Sequence, residues 1–215
     1  MELVAEITVA EPDVALAVDA ACSALAGAKV VRLRWDVGPT DLATTYDALV
    51  RAITARCSGR EPHEWGSAPA EHWIEVVPRR APVGERDGAR PYHCDEPVRA
   101  EPRHLVLMYC EASATVGGAN VFVDADDLVR ALASDPDAPT GARDVPVTFE
   151  RDGVVRRRPI LAAIDGRTTV NWDPACARAD DTESSQVIEW FTPFAERVGA
   201  AHGVEVPLAL SLIHI

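Results

Sequence analysis

Apolar residues recur at helical spacing in two stretches near the start of the chain. The first begins at Glu11-Pro12-Asp13, with proline in the first turn, and ends near Gly27. The second is capped by Thr40 or Asp41, and its apolar stripe consists of Leu42, Tyr46, Leu49, Val50, Ile53 and Cys57. Side chains three and four positions apart share one face of a helix, so both stretches predict amphipathic helices that pack on a core.

Two further helices are predicted in the second half of the chain. Asp124 opens the first of them, and Asp126 and Asp127 are interpreted as first-turn acids favoured by the helix dipole, not as a cation site. The other starts at residues 180–182, and its apolar face consists of Val187, Trp190, Phe191, Phe194 and Val198. Because proline lacks an amide hydrogen and clashes with the preceding turn, we expect Pro193 to kink this helix or split it.

Strand patterns separate these helices. Residues 29–35 (KVVRLRW) alternate apolar and basic side chains, which predicts a strand with one wet face. Two hairpins are predicted, with turns at Asp152-Gly153 and Asp165-Gly166. The arginines 156–158 are interpreted as edge-strand charges that oppose aggregation, with binding of a substrate carboxylate as the alternative. Residues 204–210 predict a last strand.

Residues 58–92 show neither the apolar spacing of a helix nor the alternation of a strand. The segment is rich in proline and glycine but also contains Trp65 and Trp73. A connection this long inside a compact domain is uncommon and is either a functional lid or an insertion without its own fold. The tryptophans are apolar anchors that a disordered linker would not need, so the segment is interpreted as a lid, with a surface loop pinned by them as the alternative. His63 and His72 are interpreted as loop histidines.

The candidate chemistry lies in residues 91–132, which begin with His93-Cys94-Asp95. If this triplet is extended, the period of two places His93 and Asp95 on one face and Cys94 on the other. An imidazole nitrogen beside a carboxylate oxygen supplies two of the three ligands of a 2-His-1-carboxylate iron site. The triplet alone is not specific, because 6 histidines and 34 acidic residues would give about one such pair by chance.

The order of features after the triplet is more specific. An apolar run, residues 105–110, is followed by Gly117-Gly118-Ala119-Asn120, by a second apolar run, residues 121–123, and by Asp124. This order resembles the taurine dioxygenase and clavaminate synthase-like family of iron(II), 2-oxoglutarate-dependent oxygenases. In that family an H-x-D/E motif precedes a strand, a Gly-Gly-x-Thr turn, a short strand and an Asp that starts a helix.

The resemblance is clearest over residues 91–132 and looser over residues 30–59 and 159–200. It implies an α+β fold with a double-stranded β-helix core (jelly-roll, cupin-like) and flanking helices, and the two hairpins would belong to that core. It also implies Fe(II), 2-oxoglutarate as co-substrate, and O2. The implied reaction is hydroxylation or desaturation of a small molecule, with release of succinate and CO2.

The same resemblance assigns site residues. His93 and Asp95 would bind the metal. Asn120 stands where the family has a threonine that helps to hold a carboxylate of 2-oxoglutarate, and its amide can still donate a hydrogen bond there. Related halogenases lack the carboxylate of Asp95, which frees a metal position for chloride, so hydroxylation or desaturation is expected here.

The end of the sequence departs from the family pattern. Family members continue from the last strand into a segment that supplies a distal histidine ligand and an arginine for 2-oxoglutarate, whereas this sequence ends in LSLIHI. His214 lacks a following Gly-Arg, and we do not expect it to be the ligand. Residues 210–215 resemble a translated sequencing-adapter end. We therefore expect one oxygenase domain, residues 1–209, incomplete at its C-terminus, a non-native tail at residues 210–215, and an inactive fragment.

Composition narrows the class of protein. A chain of 215 residues with 47% apolar content can form one domain with a sizeable core. The net charge of −13 argues against non-specific binding to nucleic acid or to an anionic membrane. No apolar run spans a bilayer, the N-terminus lacks the basic start of a signal peptide, and the five cysteines show no C-x-x-C. These features predict a cytoplasmic protein with reduced thiols.

Two other classes of function stay open. One is a non-catalytic jelly-roll binding protein in which His93 and Asp95 form a buried, hydrogen-bonded pair. The other is a hydrolase or isomerase with a cupin-type metal site, which would need further histidines at strand spacing, and the sequence shows none. A distal His-Gly-Arg segment in an intact copy of the gene would favour the oxygenase.

Overall fold

The computed structural model describes residues 2–10, 13–36, 41–58, 91–95, 97–100, 106–110, 118–164, 167–207 and 211–214. Within these residues the chain mixes helices and β-strands, as expected for an α+β protein. It divides into two compact units. The first comprises Met1–Asp87, His104–Asn120 and Pro207–Ile215, and the second comprises Gly88–Arg103 and Val121–Val206.

The first unit is a four-stranded sheet with two helices. Its elements are β1 (Glu2–Val9), α1 (Val14–Leu25), β2 (Ala28–Trp35), α2 (Leu42–Ser58), β3 (Leu107–Cys110) and β11 (Ser211–His214). The strand order is β1-β2-β11-β3, with β1 and β2 parallel and β11 antiparallel to both of its neighbours. The parallel pair requires a crossover connection, and α1 supplies it. The core is aliphatic: Val9, Ala17, Val18, Ala21, Val31, Leu33, Leu49 and Ile53.

One feature of β2 corrects the prediction of a wet face. Arg32 has a side chain only 7% exposed, and its Nη1 donates to Glu6 Oε1 at 2.8 Å. Glu6 is the register partner of Arg32 on β1. Because β2 lies between β1 and β11, a basic residue on it is covered on both sides and needs a cross-strand partner. Arg34, two residues on, is exposed as predicted.

The remaining elements are β4 (Ala119–Phe122), α3 (Ala125–Ser134), β5 (Pro146–Arg151), β6 (Val154–Pro159), β7 (Leu161–Ile164), β8 (Arg167–Val170), β9 (Ala177–Arg178), α4 (Thr182–His202) and β10 (Val204–Pro207). They belong to the second unit, except that β4 begins and β10 ends with residues of the first unit. They form small sheets with orders β6-β5-β9, β7-β8 and β10-β4.

Both predicted hairpins are present. β5 and β6 pair antiparallel, and the turn residues Asp152 and Gly153 have φ values of 51° and 78°. These left-handed values suit a two-residue turn whose twist matches that of the strands. β7 and β8 also pair antiparallel, from Leu161 with Val170 to Ile164 with Arg167. β6 is an edge strand, as predicted for the arginine-rich run. The double-stranded β-helix that would unite these hairpins stays a prediction.

Aspartate caps each helix of the described residues, which confirms the predicted helix starts. Asp13, Asp41, Asp124 and Asp181 each accept a hydrogen bond from a backbone N–H two or three residues further on. An aspartate at this position satisfies an amide that has no partner within the helix. The acidic cluster at the start of α3 is therefore a cap, as interpreted from the sequence.

α4 runs without interruption from Thr182 to His202, so Pro193 does not split it, and the alternative, a kink, stays a prediction. A proline in a helix removes one backbone hydrogen bond. Here that loss is offset by the burial of an aromatic face, on which Phe191 and Phe194 are 2% and 1% exposed. No helix among the described residues combines the length and the apolar character needed to cross a membrane.

Two predictions lie at the margins of the described residues. Apart from its two ends, the predicted lid of residues 58–92 falls outside them. β11 lies within residues 210–215, and the prediction of a single domain with a non-native tail stays a prediction.

Candidate metal centre

His93 and Asp95 lie in the second unit, in a loop that we call the ligand loop (residues 91–95 and 97–100). The triplet was predicted to be extended, but residues 91–95 form no strand. The two side chains are nevertheless neighbours, because His93 Nε2 lies 3.8 Å from Asp95 Oδ1. The loop, not a strand, therefore brings the two predicted ligands together.

The orientation of the His93 ring is set by a backbone contact. Its Nδ1 lies 2.8 Å from the carbonyl oxygen of Pro91. A carbonyl oxygen only accepts, so Nδ1 carries the proton and donates. In the neutral imidazole, Nε2 then keeps its lone pair, and this is the atom that faces Asp95. A hydrogen bond at one ring nitrogen that leaves the other free is the usual arrangement of metal-binding histidines.

The spacing of this pair can be compared with that of metal ligands. Nitrogen and oxygen ligands about 2.1 Å from one metal ion, at a right angle, lie about 3 Å apart. The observed 3.8 Å is somewhat wider. Both side chains reach solvent, with His93 24% and Asp95 49% exposed, so an ion has access to them. The pair thus fits two adjacent positions of a metal site. Among the described residues no group of three or more His, Cys, Asp or Glu forms a complete one.

The same geometry argues against a buried, hydrogen-bonded pair of the kind that a binding protein would use. A separation of 3.8 Å exceeds the range of a hydrogen bond. Asp95 is also half exposed, and a carboxylate in water needs no histidine partner. His93 and Asp95 therefore do not form the buried, hydrogen-bonded pair that the binding-protein alternative requires.

Cys94, between the two candidate ligands, is tied to the protein core. Its amide donates to the carbonyl oxygen of Trp172 at 2.6 Å. Burial, with the nearby carboxylates of Asp95 and Asp173, raises the pKa of its thiol to about 12. The thiol of the metal-free protein therefore stays protonated at neutral pH and is not an activated nucleophile.

Side chains to which the sequence assigned no role at the site hold the ligand loop in place. Val98 is 8% exposed and belongs to the apolar core of the second unit. The ring of Tyr92 lies against Gly199 of α4 so closely that a Cβ on Gly199 would fall 2.2 Å from Tyr92 Cζ. Arg158, on β6, donates to the carbonyl oxygen of Arg99. None of these contacts follows from periodicity, since each joins residues that are distant in sequence.

Residues 171–173 (Asn-Trp-Asp) form the buried floor beneath Cys94. Trp172 is 2% exposed and packs edge-on against Phe191, with ring centroids 4.9 Å apart. Asp173, also 2% exposed, accepts from Arg151 Nη2 at 2.5 Å and from the amide of Ala175 at 2.9 Å. A buried carboxylate with a cation and an amide as donors is well satisfied.

Asn120, the predicted contact for 2-oxoglutarate, belongs to the first unit, on β4. Its Nδ2 lies 4.0 Å from Met108 Sδ on β3. The residue before β4, Gly118, has φ 73°, a conformation that favours glycine and agrees with the predicted turn. The role of Asn120 stays a prediction.

The remaining histidines add no ligand within the described side chains. His202 is exposed at the end of α4. His214 lies on β11, opposite Leu107 of β3, and its side chain is not described. His63, His72 and His104 lie outside the described residues.

Comparison with known proteins assigns the chain to a family. The model of the family described as "Taurine catabolism dioxygenase TauD, TfdA family" matches residues 6–205. The chain belongs to this family, as the order of motifs predicted. Fe(II), 2-oxoglutarate and O2, the expected cofactors, are the ones that this family uses.

Among solved structures, the chain is similar to an asparagine oxygenase in complex with Fe(II), 2S,3S-3-hydroxyasparagine and succinate. The TM-score is 0.40 at 12% identity, and the match covers 58% of this chain and 40% of that one. The chain therefore matches about two fifths of the length of that protein. Comparison with curated sequences finds no match.

Proposed function

We propose that this chain is part of an iron(II)- and 2-oxoglutarate-dependent dioxygenase that hydroxylates or desaturates a small-molecule substrate, with release of succinate and CO2. One observation carries the proposal: His93 presents the free Nε2 of its ring to Asp95 Oδ1, 3.8 Å away. Membership of the TauD/TfdA family supports it.

In this proposal His93 and Asp95 hold the iron, and Asn120 contacts 2-oxoglutarate. Bound iron would supply the one-electron and O2 chemistry that no amino-acid side chain performs. The residues of the chain contribute orientation. The carbonyl of Pro91 fixes the His93 ring, and the amide of Cys94, bonded to the core, fixes the backbone between the ligands. The distal histidine and the arginine for 2-oxoglutarate are not assigned to residues of this chain.

The proposal also covers the fold of the protein, its location in the cell and its partners. The antiparallel hairpins β5–β6 and β7–β8 would contribute strands to a double-stranded β-helix. The substrate would be a small molecule met in the cytoplasm. The net charge of −13 disfavours nucleic acid and anionic lipid as partners.

Metal binding by the purified chain tests the assignment. Co(II), which absorbs visible light and does not react rapidly with O2, is titrated into the parent protein, His93→Ala and His202→Ala. No neighbouring side chain of the described loop can replace the lost nitrogen of His93. The affinity should therefore fall by more than the roughly 10–100-fold that is typical of outer-shell partners. His202→Ala removes an exposed histidine of the same unit and should bind Co(II) as the parent does.

Parental affinity in His93→Ala would remove His93 from the site. Loss of affinity in both variants would show adventitious binding by surface histidines. Succinate formation from 2-oxoglutarate by an intact family member, with and without the equivalent change, then tests the reaction itself.

A further inference from the structure

The ligand loop has no helix or strand of its own, so its shape must come from contacts with the rest of the second unit. Residues 91–95 and 97–100 contain only turns and bends. Regular structure would fix the backbone through repeated hydrogen bonds, whereas a loop depends on a few specific ones. For a pair of metal ligands these few contacts decide the distance between the two donor atoms.

Two of these contacts hold the ligand loop at separate points. The amide of Cys94 donates to the carbonyl of Trp172 at 2.6 Å, directly between the candidate ligands. Further along, Arg158 Nη2 donates to the carbonyl of Arg99. The first contact fixes the position of the triplet. The second fixes where the loop leaves the site.

Arg158 also joins these two points to each other. While Nη2 binds the loop, its Nη1 donates to Asn171 Oδ1 at 3.1 Å. Asn171 is the residue next to Trp172, whose carbonyl holds Cys94. One planar guanidinium therefore closes a ring of contacts that runs through Cys94, Arg99, Asn171 and Trp172. A planar fork with two donors imposes geometry on both of its partners, which a single-point donor does not.

Asn171 gives the fork a rigid support. It is 3% exposed, its Nδ2 donates to the carbonyl of Pro159 at 3.2 Å, and its amide donates to the carbonyl of Ile160 at 2.7 Å. The amide nitrogen of the side chain is thus already committed, which leaves Oδ1 as the acceptor for Arg158. A satisfied buried amide holds its orientation.

Arg158 differs from its neighbour Arg157 in the way expected of a positioning residue. Arg157 is 53% exposed and pairs with Asp180 at 3.2 Å and with Asp181 at 3.5 Å. Arg158 is partly buried, and the two oxygens that it binds are uncharged. An edge-strand charge that only opposes aggregation would reach into solvent, as Arg157 does. The interpretation of the cluster as edge charge thus fits Arg157 and not Arg158.

We propose that Arg158 is a positioning residue for the candidate metal ligands, holding the ligand loop on Asn171 so that His93 Nε2 and Asp95 Oδ1 stay adjacent. The inference rests on the proposed function, since it requires that these atoms bind a metal. It predicts that the removal of Arg158 weakens metal binding although Arg158 does not touch the metal.

The test uses the full chain with Co(II) as the probe, and it compares Arg158→Gln, Arg158→Lys and Arg157→Gln with the parent. Arg158→Gln should weaken Co(II) binding about 10–100-fold, as the loss of outer-shell partners does. It should also change the visible spectrum of the bound ion. Arg158→Lys keeps the charge but lacks the planar fork with two separate nitrogens, so it should not restore binding. Arg157→Gln removes the same charge from the same strand and should stay within about twofold of the parent.

A second measurement needs no metal. Hydrogen exchange of the metal-free protein should accelerate at the ligand loop in Arg158→Gln, with little change in α4 and none of this pattern in Arg157→Gln. Gly199→Ala probes the opposite side of the loop, because the added methyl group must displace Tyr92. It should loosen the loop while favouring the helix.

The outcomes separate the inference from the function on which it rests. If Co(II) affinity and loop exchange in Arg158→Gln both equal those of the parent, Arg158 does not position the loop, and the inference is overturned. If His93→Ala keeps parental affinity, the metal assignment fails, whatever Arg158 does. If Arg158→Gln accelerates exchange equally in the loop and in α4, its effect is general destabilisation, and the positioning role is rejected.

Discussion

The two units bury different kinds of residue. The core of the first is aliphatic, from Val9 to Ile53, whereas that of the second is built on aromatic rings, with Phe149, Trp172, Phe191 and Phe194 at 2% exposure or less. The buried polar residues are also unevenly divided. Among the described residues the first unit has Arg32, and the second has Thr148, Asn171, Asp173 and Ser184.

This difference matters for where a site can be built. Apolar burial stabilises a fold but is non-directional, so an aliphatic core tolerates small shifts. Buried polar groups must keep specific partners, and each partner fixes a direction. In the second unit Asp173 binds Arg151, and Thr148 Oγ1 donates to Asp180 at 2.5 Å. The candidate ligands lie on this directional framework, whereas the described residues of the first unit bury one charged side chain, Arg32.

The largest effect should come from opening a cavity beneath the ligand loop. Trp172→Ala removes a buried indole and should destabilise the protein by about 3–5 kcal/mol. The matched change in the first unit, Leu33→Ala, should cost about 2–5 kcal/mol. Urea unfolding gives both values. Only Trp172→Ala should also accelerate hydrogen exchange at Cys94, since its carbonyl receives the Cys94 amide. Equal acceleration in the two variants would erase the distinction between the units.

A smaller loss of stability should come from a substitution that removes a buried charge but keeps the volume of the side chain. Asp173→Asn keeps the shape but weakens the bond with Arg151, a residue whose side chain is 34% exposed. We expect a loss of about 1–3 kcal/mol, because the carboxylate is buried while the cation is partly screened by solvent. Asp47→Asn breaks the exposed pair with Arg51 in the first unit and should cost less than about 0.5 kcal/mol. Thermal unfolding of both variants compares them directly. A cost for Asp47→Asn as large as that for Asp173→Asn would contradict the difference in burial.

The sequence predicts well those features that depend on neighbours in the chain. Aspartate caps, the turn at Asp152-Gly153 and the apolar stripes of the helices all follow from local spacing, and the structure confirms them wherever it describes the side chains. The family follows from the order of motifs, and the family model confirms it. β1 (ELVAEITV) was not predicted, although Leu3, Ala5, Ile7 and Val9 alternate in it. Its pairing with β2 depends on residues 26 positions away.

The structure of the candidate site depends on contacts that spacing does not encode. Period-two alternation predicted that His93 and Asp95 would be neighbours because of a strand. They are neighbours in a loop, which contacts with Trp172 and Arg158 hold in place. The prediction of a solvent-exposed face on β2 was wrong at Arg32 for a related reason, because β2 is flanked by strands that come from distant parts of the chain. The sequence thus predicted which residue types could bind a metal, but it did not predict the contacts that hold those residues in position.

The smallest expected effect compares the helix caps of the two units through their acid dependence. In the first unit, hydrogen bonds from the amide and hydroxyl of Thr44 lower the pKa of Asp41 below its usual 3.8. In the second unit, bonds from the amide and hydroxyl of Ser184 lower the pKa of Asp181, and Arg157 adds to the effect. A carboxyl with a lowered folded pKa stabilises the protein above the unfolded value of 3.8, and this contribution is lost as pH falls through the folded pKa.

Asp41→Asn and Asp181→Asn should therefore each flatten the loss of stability on acidification below about pH 4, with little cost at pH 7, because asparagine caps a helix about as well as aspartate. The alanine variants should lose the cap at every pH. Unfolding measured from pH 7 down to pH 2.5 gives the slopes, and the difference from the parent isolates each carboxyl from the others that titrate in this range. Added salt should reduce the effect at Asp181 more than at Asp41, since within the described part of the chain only Asp181 of the two has a cationic partner, Arg157 at 3.5 Å. An unchanged slope in Asp181→Asn would show that its carboxylate charge does not stabilise α4.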